Sequence, residues 1–556
     1  MADEEPVDAI CGYGRYQQIL LWLVLLPAHV SCAPQLYSQL LMFLTPDHWC
    51  LGDGGVAVRT TRVRLCAPVA GNRTTCDRGP EYDRRFLHAD ETVVTQWDLV
   101  CSRRLLATAG LVLFGGGLLA GHLVCAAFSE RRGRRLSLVV FLFAQCLFGM
   151  LAAVSPNLIA FICLRFLVAV GTAGTWSSLT KLVEDLVGGG QRARALLLAR
   201  CALSVGFLLV ALVALLVRDW SYLAATTSVP FVTFLFYWRI LPESPKWLLA
   251  HGRFNKAAQL MLIIAHTNTK HIPRDYLTAL QEDASSHQIA CGERDTSNLL
   301  QQFVDLCGTK ETNRRIFLLL GIGLVNGVAS LAQVYLAVGL AGNAYLHMLL
   351  MSSADLSACL APLMMLKHSG CRKIAILGCI SGGVTCFAHF VTSRRGHPCI
   401  SLCLLAMSKV SVGSSLAVVP LWLHEISPSS QQAVVAHLAQ TAELAAFAVV
   451  PLLFQQEDPE LTPVVLSVLL IGGGILLTFD MHHPGRSWCF RKLRSRVGSW
   501  SCNRNKGMVY RSNAWEFKSL QNPSPIPSLV KRQEGLQKCP NFHPLHGVDT
   551  IKVTVV

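Results

Sequence analysis

Among the few charged side chains inside long apolar stretches of the sequence, four are candidates for a functional role. They are Arg165, Asp355, Lys409 and Glu443. A charge is costly to bury in a membrane, so a residue of this kind is by default a candidate for binding a solute, an ion or another buried charge. We interpret the four positions as candidates for binding a charged solute. Burial as ion pairs is the alternative, for example between Arg165 and either Glu184 or Asp355.

The elements that must position these residues are twelve apolar stretches, six on each side of a polar segment of about 70 residues. A transmembrane helix needs about 20 largely apolar residues. Only 15% of all residues are charged, against roughly 25% in a soluble domain. The sequence therefore predicts an all-α integral membrane protein with twelve transmembrane helices in two six-helix halves. The predicted spans, numbered 1 to 12, lie near residues 18–44, 105–128, 136–154, 157–179, 195–217, 222–241, 316–340, 344–366, 374–391, 399–423, 432–454 and 462–480.

The spans define the predicted segments of the chain. The acidic start and the length of the first apolar run argue against a cleaved signal peptide, so we expect span 1 to be retained. The segments are a cytoplasmic N-terminus (1–17), a first half (18–241) with an extracellular loop (45–104), a cytoplasmic linker with short helices (242–315), a second half (316–480) and a basic, disordered cytoplasmic tail (481–556).

The distribution of Lys and Arg predicts the orientation, because short cytoplasmic loops carry the excess of these residues. The loops after spans 2, 4 and 8 contain basic clusters at 131–135, 192–194 and 367–373. Arg394 and Arg395, in the loop after span 9, are exceptions. We therefore expect the even-numbered loops to face the cytoplasm, in a multi-pass protein of the plasma membrane.

The long first loop has two features of an extracellular segment. Asn72 is the acceptor of the single N-x-S/T sequon in the chain, which predicts glycosylation. An even set of cysteines suits disulfide bonds in an oxidising compartment, and its three possible connectivities stay open. The set consists of Cys50, Cys66, Cys76 and Cys101.

The net charge of +15 is concentrated at the C-terminus rather than in a nucleic-acid-binding pattern. Residues 481–556 contain 13 Lys and Arg against three Asp and Glu. A basic segment next to a membrane span favours anionic lipid head groups as its partner, so we predict no nucleic acid partner. The ending Thr554–Val556 resembles a ligand of PDZ domains, with a chance match as the alternative.

The sequence contains no motif that indicates an enzyme. It lacks the G-x-x-x-x-G-K-[ST] pattern of a nucleotide-hydrolysing P-loop. It also lacks Cys/His sets with structural zinc spacing and a Ser/His/Asp set that could meet at one membrane depth. We therefore predict no catalytic residue, metal or cofactor, and any uphill transport must be driven by solute or ion gradients.

Several motifs, in order along residues 12–480, resemble the organic ion transporters, solute carrier family 22 of the major facilitator superfamily. They are GRYQQILLWLVLLP at Gly14–Pro27, TPDHWC at Thr45–Cys50, TQWDLVC at Thr95–Cys101 and LPESPKWLL at Leu241–Leu249. The resemblance implies a substrate site between the two halves that opens alternately to each side of the membrane.

The loop after span 2 reads AAFSERRGRR and resembles the superfamily pattern G-x-L-x-D-R-x-G-R-R. The resemblance implies a cytoplasmic gate in which Arg131, Arg134 and Arg135 face Glu184. Glu130 takes the place of the aspartate in the pattern. The alternative is that the arginines only set the topology and touch lipid head groups.

The second half departs from the family pattern. Lys367 occupies the position of an acidic residue, and Cys371 and Gln432 occupy positions of arginines, whereas Glu425 is retained. Half of the charge network at the cytoplasmic gate is therefore missing or reversed. This departure makes efficient turnover less certain than the fold.

For the interior, the resemblance favours the organic anion branch. Lys409 lies 16 residues before Glu425, as the lysine of the anion carriers lies before their glutamate, and Arg165 and Asp355 also match charged positions of relatives. In span 11 the position that distinguishes anion from cation carriers is Leu444, next to Glu443. If Glu443 faced the cavity, the preference would shift toward cations or proton coupling.

Three further candidates for substrate contact rest on their placement in the spans, and helical packing is the alternative for each. The leading hypothesis is a secondary carrier for small organic ions, with anions favoured, that works by alternating access. The alternatives are a receptor or scaffold with a transporter fold that does not transport, and an organic cation carrier. The three candidates are Gln35, Tyr335 and Trp422.

Overall fold

The structure is a computed structural model of the chain. It describes residues 13–46, 48–50, 80–82, 91–188, 191–269, 310–427, 431–455, 461–479, 509–511 and 514–516. The chain divides into two compact units, residues 1–486 and 487–556. Within the described residues of the first unit, eleven helices are long and apolar enough to cross a membrane.

The eleven helices coincide with eleven of the predicted spans, whose numbers we keep. Spans 1 to 5 are Arg15–Met42, Arg104–Arg132, Arg134–Ala153, Leu158–Leu186 and Arg192–Leu216. Spans 7 to 12 are Lys310–Val338, Ala344–Leu366, His368–Arg394, Pro398–Ile426, Gln432–Leu453 and Thr462–Phe479. Span 1 contains a π-helical turn at Leu21–Leu25.

The prediction of span 6 as one continuous helix was wrong. The segment consists of a short helix, Trp220–Thr226, followed by a 3₁₀ helix, Val229–Arg239. Pro230 lacks a backbone N–H and disfavours α-helical geometry in the residue before it. Gln35 of span 1 also donates a hydrogen bond to the carbonyl of Thr227 at 2.8 Å. The break therefore leaves backbone groups that a neighbouring span satisfies.

Burial separates central from peripheral spans. In spans 1, 7 and 10, respectively 72, 67 and 61% of an apolar 18-residue stretch is buried inside the protein. In span 12 the corresponding share is 33%. Exposed apolar residues such as Trp22, Leu151 and Phe479 suit contact with lipid. Spans 1, 7 and 10 therefore form the centre of the bundle.

The two halves touch at three levels. At one end of the bundle, Arg104 of span 2 donates to the carbonyl of Phe454 after span 11, at 3.1 Å. In the middle, Tyr37 of span 1 contacts Asp355 of span 8. Toward the opposite ends, His122 of span 2 contacts His437 of span 11. Contacts between the halves are therefore present at the centre of the bundle and on both sides of it.

Short elements cap the bundle. In the first loop, β1 (His48–Cys50) pairs antiparallel with β2 (Pro80–Tyr82), and a one-turn helix follows at Val93–Gln96. Tyr82 donates to Asp98 at 3.1 Å. Burial, and then the Asp98 carboxylate, raise the pKa of Tyr82, so its hydroxyl stays protonated. At the opposite end lie the helices Pro245–Ala250 and Phe254–Thr267.

Several predicted features fall on parts that the structure does not describe. The disulfide bonds predicted for the four cysteines stay a prediction, and their connectivity stays open. Asn72, Cys66, Cys76 and the ending Thr554–Val556 lie outside the described residues. In the second unit, β3 (Val509–Arg511) pairs antiparallel with β4 (Ala514–Glu516).

Span 2 approaches span 11 through a glycine. A β-carbon at Gly115 would overlap the backbone of Phe447 and Ala448, whereas one at Gly116 would meet no described atom within 4 Å. We expect Gly115→Ala to lower the free energy of unfolding by about 1–3 kcal/mol, because backbone cannot move aside as a side chain can. Thermal unfolding of the purified protein measures the change. Gly116→Ala is the matched control, and an equal loss in both variants would contradict the packing.

Candidate functional site

Lys409 and Asp355 form an ion pair at the centre of the bundle. The Nζ of Lys409 lies 3.0 Å from Oδ1 of Asp355, and it donates to the carbonyl and the hydroxyl of Ser330 at 2.7 and 2.8 Å. Tyr37 donates to the other carboxylate oxygen of Asp355 at 2.5 Å. Spans 1, 7, 8 and 10 thus meet at one cluster, in which Asp355 compensates the charge of Lys409.

A second ion pair joins Arg200 of span 5 to Glu443 of span 11 and thereby crosses between the halves. Glu443 lies within electrostatic range of both Asp355 and Lys409. The sequence analysis missed Arg200. Arg200 has apolar neighbours and lies eight residues after the basic start of span 5. This position inside the span could have identified it as a buried charge.

The two pairs together contain two positive and two negative charges. The side chains of Arg200, Glu443 and Asp355 are 19, 14 and 12% exposed, whereas that of Lys409 is 2% exposed. Three of the four groups are therefore not fully enclosed by protein. We refer to Asp355, Lys409, Arg200 and Glu443 as the charged cluster.

Arg165 does not belong to the charged cluster, and neither predicted carboxylate pairs with it. Its guanidinium donates to the side-chain oxygens of Gln39 and Gln35 at 2.5 and 3.0 Å and to the carbonyl of Gln35 at 3.0 Å. It also lies 5.0 Å from the ring centre of Phe114. Amide dipoles and an aromatic face, rather than Glu184 or Asp355, thus surround this charge.

A small cleft lies beside the charged cluster, between spans 1, 2, 7 and 11. Tyr37 lines the cleft and also contacts Asp355, so the cleft and the cluster are adjacent. The buried Nε2 of Gln39, a residue of the cleft wall, makes no hydrogen bond within the described structure. The other lining residues are Leu36, Leu40, Leu111, Phe114, Leu331, Tyr335 and Phe447.

The remaining placement candidates fall in different surroundings. Tyr335 lines the cleft and stacks on Phe454. Gln35 is buried in the first half, where it holds Arg165. Trp422 is buried in the apolar core of the second half, among residues that include Ile316 and Leu421. The structure brings Tyr335, but neither Gln35 nor Trp422, to the edge of the cleft.

The predicted gate of the first half has a different acidic partner. Nε of Arg134 lies 3.6 Å from Asp185, and Ser244 donates to the same carboxylate at 2.7 Å. Glu184 lies within electrostatic range of Arg134 and Arg192. The contact partner of Arg134 is therefore Asp185 rather than Glu184, because neighbouring helical residues point about 100° apart.

The other predicted gate residues are held by backbone groups or are exposed. Arg135 donates to the carbonyl of Trp238 and lies 4.3 Å from its ring centre. The carbonyl of Glu130 accepts a hydrogen bond from the indole of Trp247 at 2.8 Å. Arg131 is exposed. Of these predicted gate residues, Arg134 and Arg135 therefore contact neighbouring elements, whereas Arg131 is exposed.

Glu243, which the sequence analysis did not assign to the gate, caps the N-terminus of span 3. Its Oε1 accepts from the backbone N–H groups of Arg134 and Arg135 at 2.7 and 3.1 Å. Free N–H groups and the helix dipole make such an end a favourable place for a carboxylate. Gly133, with φ +102°, allows this approach, because a β-carbon would lie 2.5 Å from Oε2 of Glu243.

The equivalent loop of the second half has fewer charged contacts than the loop after span 2. The thiol of Cys371 lies 3.7 Å from Glu425, at the position where the family pattern has an arginine. Gln432 donates to the carbonyl of His424 at 3.3 Å. Gly370, at φ +69°, is equivalent to Gly133, but no described atom lies within 4 Å of where its β-carbon would be. A thiol and an amide thus replace charged partners.

Comparison with known proteins identifies relatives of this chain. A sequence model of the Major Facilitator Superfamily matches residues 102–451. The chain is 26% identical over 522 residues to the beta-alanine transporter of Drosophila melanogaster. The aligned region covers 85% of each protein. The chain is 25% identical over 469 residues to solute carrier family 22 member 6-A of Xenopus laevis, which covers 77% of this chain and 82% of the relative.

Solved structures share the fold. The proton:xylose symporter XylE of E. coli, bound to 6-bromo-6-deoxy-D-glucose, superimposes with a TM-score of 0.60 at 16% identity. The match covers 84% of this chain and 95% of XylE. The described helices thus have the same overall arrangement as those of a solved transporter.

The contact between Glu243 and Gly133 predicts unequal effects of two substitutions. Gly133→Ala places a side chain at a positive φ and against a carboxylate that three backbone N–H groups hold. We expect a loss of about 1–3 kcal/mol in stability. Gly370→Ala, at a positive φ but in open space, is the matched control with the smaller expected loss. Midpoints of thermal aggregation in detergent compare the two, and the reverse order would contradict the cap.

Proposed function

Because the chain belongs to the Major Facilitator Superfamily, whose members are transporters and not enzymes, we propose that it is a secondary carrier. It moves small organic ions across the membrane by alternating access. The observation that carries the proposal is the charged cluster, which lies between the two halves at the centre of the bundle. A solute bound there would be exposed to one side or the other as the halves rock.

The balance of charge in the cluster favours substrates that carry both an acidic and a basic group. Asp355 already compensates Lys409, and Glu443 compensates Arg200. A lone anion would displace a carboxylate and leave it unpaired, which is costly away from water. A zwitterion replaces partners of both signs at once: its carboxylate binds Lys409 or Arg200, and its ammonium binds Asp355 or Glu443.

The cleft next to the cluster has a cavity volume of about 10 Å³ in the described conformation, room for about one water molecule, so it would have to widen as the halves move to take an apolar portion of a substrate. Its wall combines aliphatic side chains with the rings of Tyr37, Phe114 and Tyr335. Apolar surface with a few convergent polar groups is typical of sites for small organic molecules. Tyr37, which belongs to both the cleft and the cluster, would orient the charged end of the substrate toward Asp355.

The relatives support the same substrate class. A transporter named for beta-alanine, a compound with a carboxylate and an amine, matches most of the chain. Members of solute carrier family 22 also match over most of their length. We therefore propose that the chain is a member of that family, and that amino-acid-like zwitterions are preferred over the simple anions that the sequence alone favoured.

A receptor or scaffold without transport is the second candidate. The observation that favours it is the gate of the second half, where the thiol of Cys371 and the amide of Gln432 stand in for arginines. Fewer charged contacts would leave the cytoplasmic closed state less stable than in carriers that keep both gates. This candidate predicts that a ligand binds to the protein but does not accumulate inside the cell.

Uptake of a panel of zwitterions, simple anions and simple cations by cells that express the full chain tests the proposal. We expect zwitterion uptake to exceed uptake of both other classes. Lys409→Gln and Asp355→Asn should each reduce it at least tenfold, because each leaves its partner as an uncompensated buried charge worth about 3–5 kcal/mol.

Two controls separate the outcomes. Met407→Ala changes a residue of the same span that is 59% exposed, and it should leave uptake unchanged at equal surface abundance. Uptake of simple anions alone would restore the anion preference, and uptake of simple cations alone would favour the cation carrier. Saturable binding without uptake of any class, by protein shown to be folded at the surface, would support the receptor.

A further inference from the structure

Two buried histidines from opposite halves form a hydrogen-bonded chain. His122 of span 2 contacts Ser177 of span 4 through Nδ1, at 2.7 Å. Its Nε2 lies 3.3 Å from Nδ1 of His437 in span 11 and 3.2 Å from the carbonyl of the same residue. The residues are 0 and 9% exposed. The chain Ser177–His122–His437 thus links the halves away from bulk water.

This link lies between the charged cluster and the basic end of the bundle. His122 is ten residues before the end of span 2 at Arg132, and His437 is five residues after the start of span 11 at Gln432. At 1.5 Å per residue these offsets correspond to about 15 and 8 Å. The positive-inside rule assigns this end to the cytoplasm. Separation of the halves here would open the cluster to the cytoplasm.

The charged groups that face the pair are cationic. Lys181 of span 4 lies within electrostatic range of both histidines, and Arg134 of span 3 lies within range of His437. Glu130 and Glu184 lie near Lys181. The contacts that hold the halves together here are thus made by two imidazoles beside two basic side chains.

Protonation does not suit this closed arrangement. Nε2 of His437 is buried and makes no hydrogen bond within the described structure. The carbonyl of His437 can only accept, so Nε2 of His122 is the donor and Nδ1 of His437 is an acceptor in this contact. A protonated imidazole carries N–H groups on both ring nitrogens, so protonation of His437 would place its Nδ1–H against the N–H of His122. Burial of such a group without a partner is costly. Water can solvate it only when spans 2 and 11 move apart.

We propose that His122 and His437 form a proton-binding latch whose protonation opens the cytoplasmic side of the bundle. The proton binds to the open form, in which water reaches the ring nitrogens, and deprotonation allows the halves to close. The latch is separate from the charged cluster and therefore does not depend on the identity of the substrate. It makes cytoplasmic acidity a regulator of access.

The size of the effect follows from linkage. A water-exposed histidine has a pKa of about 6.5 in general, and only the open form binds the proton here. Lowering the pH from 7.5 to 5.5 then increases the ratio of open to closed form by about tenfold. The sign is fixed by the structure, since the closed form excludes the proton and acid must favour opening.

Hydrogen–deuterium exchange of the full chain in lipid nanodiscs, without substrate, measures the opening directly. Amides in the cytoplasmic halves of spans 2 and 11 should exchange about tenfold faster at pH 5.5 than at pH 7.5, after correction for the intrinsic chemical rates. Exchange at the outer ends should not increase in the same way. Corrected rates that do not change with pH in these segments would overturn the proposal.

Matched variants assign the effect to the latch. His437→Asn keeps a polar group near the Nδ1 position but cannot be protonated there, so only the contribution of His122 remains and the dependence on pH should fall. His389→Asn is the control, because His389 is also buried and bonded to a serine, Ser401, at 2.7 Å, but within the second half. It should keep the full dependence.

A second variant keeps the test valid if the first does not fold. If His437→Asn does not give a monodisperse, folded protein, His122→Gln replaces it in the same comparison. A pH dependence as large as that of the wild type in whichever variant is folded contradicts the proposal. So does a loss of the dependence in His389→Asn.

Discussion

A charged side chain inside the bundle must find its partner within the protein, because neither lipid nor a dry interior can solvate it. The rest of the central structure depends on this constraint. Lys409 of span 10 contacts Ser330 of span 7 and Asp355 of span 8. Tyr37 of span 1 donates a hydrogen bond to the same Asp355. The pair of Arg200 and Glu443 joins spans 5 and 11. Arg165 meets the same requirement with amides instead of a carboxylate.

The same constraint suggests how a solute can be both held and released. A substrate that carries both charges can exchange partners with the two pairs without leaving any group unpaired, so its binding and departure need not expose a bare charge. In the proposed alternating access, movement of the halves would break contacts that cross between them. Those contacts include the salt bridge of Glu443, the hydrogen bond of Tyr37 and the histidine contact. The contacts of the predicted first-half gate do not cross between the halves, because Glu243, Arg134 and Asp185 all belong to the first half and its adjoining linker.

Much of the fold could be predicted from the sequence, because membrane spans leave a strong compositional signal. Eleven spans lie close to their predicted bounds, and the sixth failed because the pattern of apolar residues does not reveal a break at Pro230. The central residues Lys409, Asp355 and Glu443 were also identified from their apolar surroundings. Their partners were not, because a sequence gives the depth of a residue but not the direction in which its helix faces. Arg200 and Glu443 are 243 positions apart, and the choice of Asp185 over Glu184 depends on one residue of helical rotation.

The most direct test of the central claim is a charge exchange between Arg200 and Glu443. Thermal unfolding of the purified chain would compare Arg200→Glu, Glu443→Arg and the double variant with wild type. Our account predicts that each single variant loses about 3–5 kcal/mol of stability, since two like charges are then buried together, and that the double variant recovers at least half of that loss. Losses that simply add in the double variant would contradict the claim that this pair holds the two halves together.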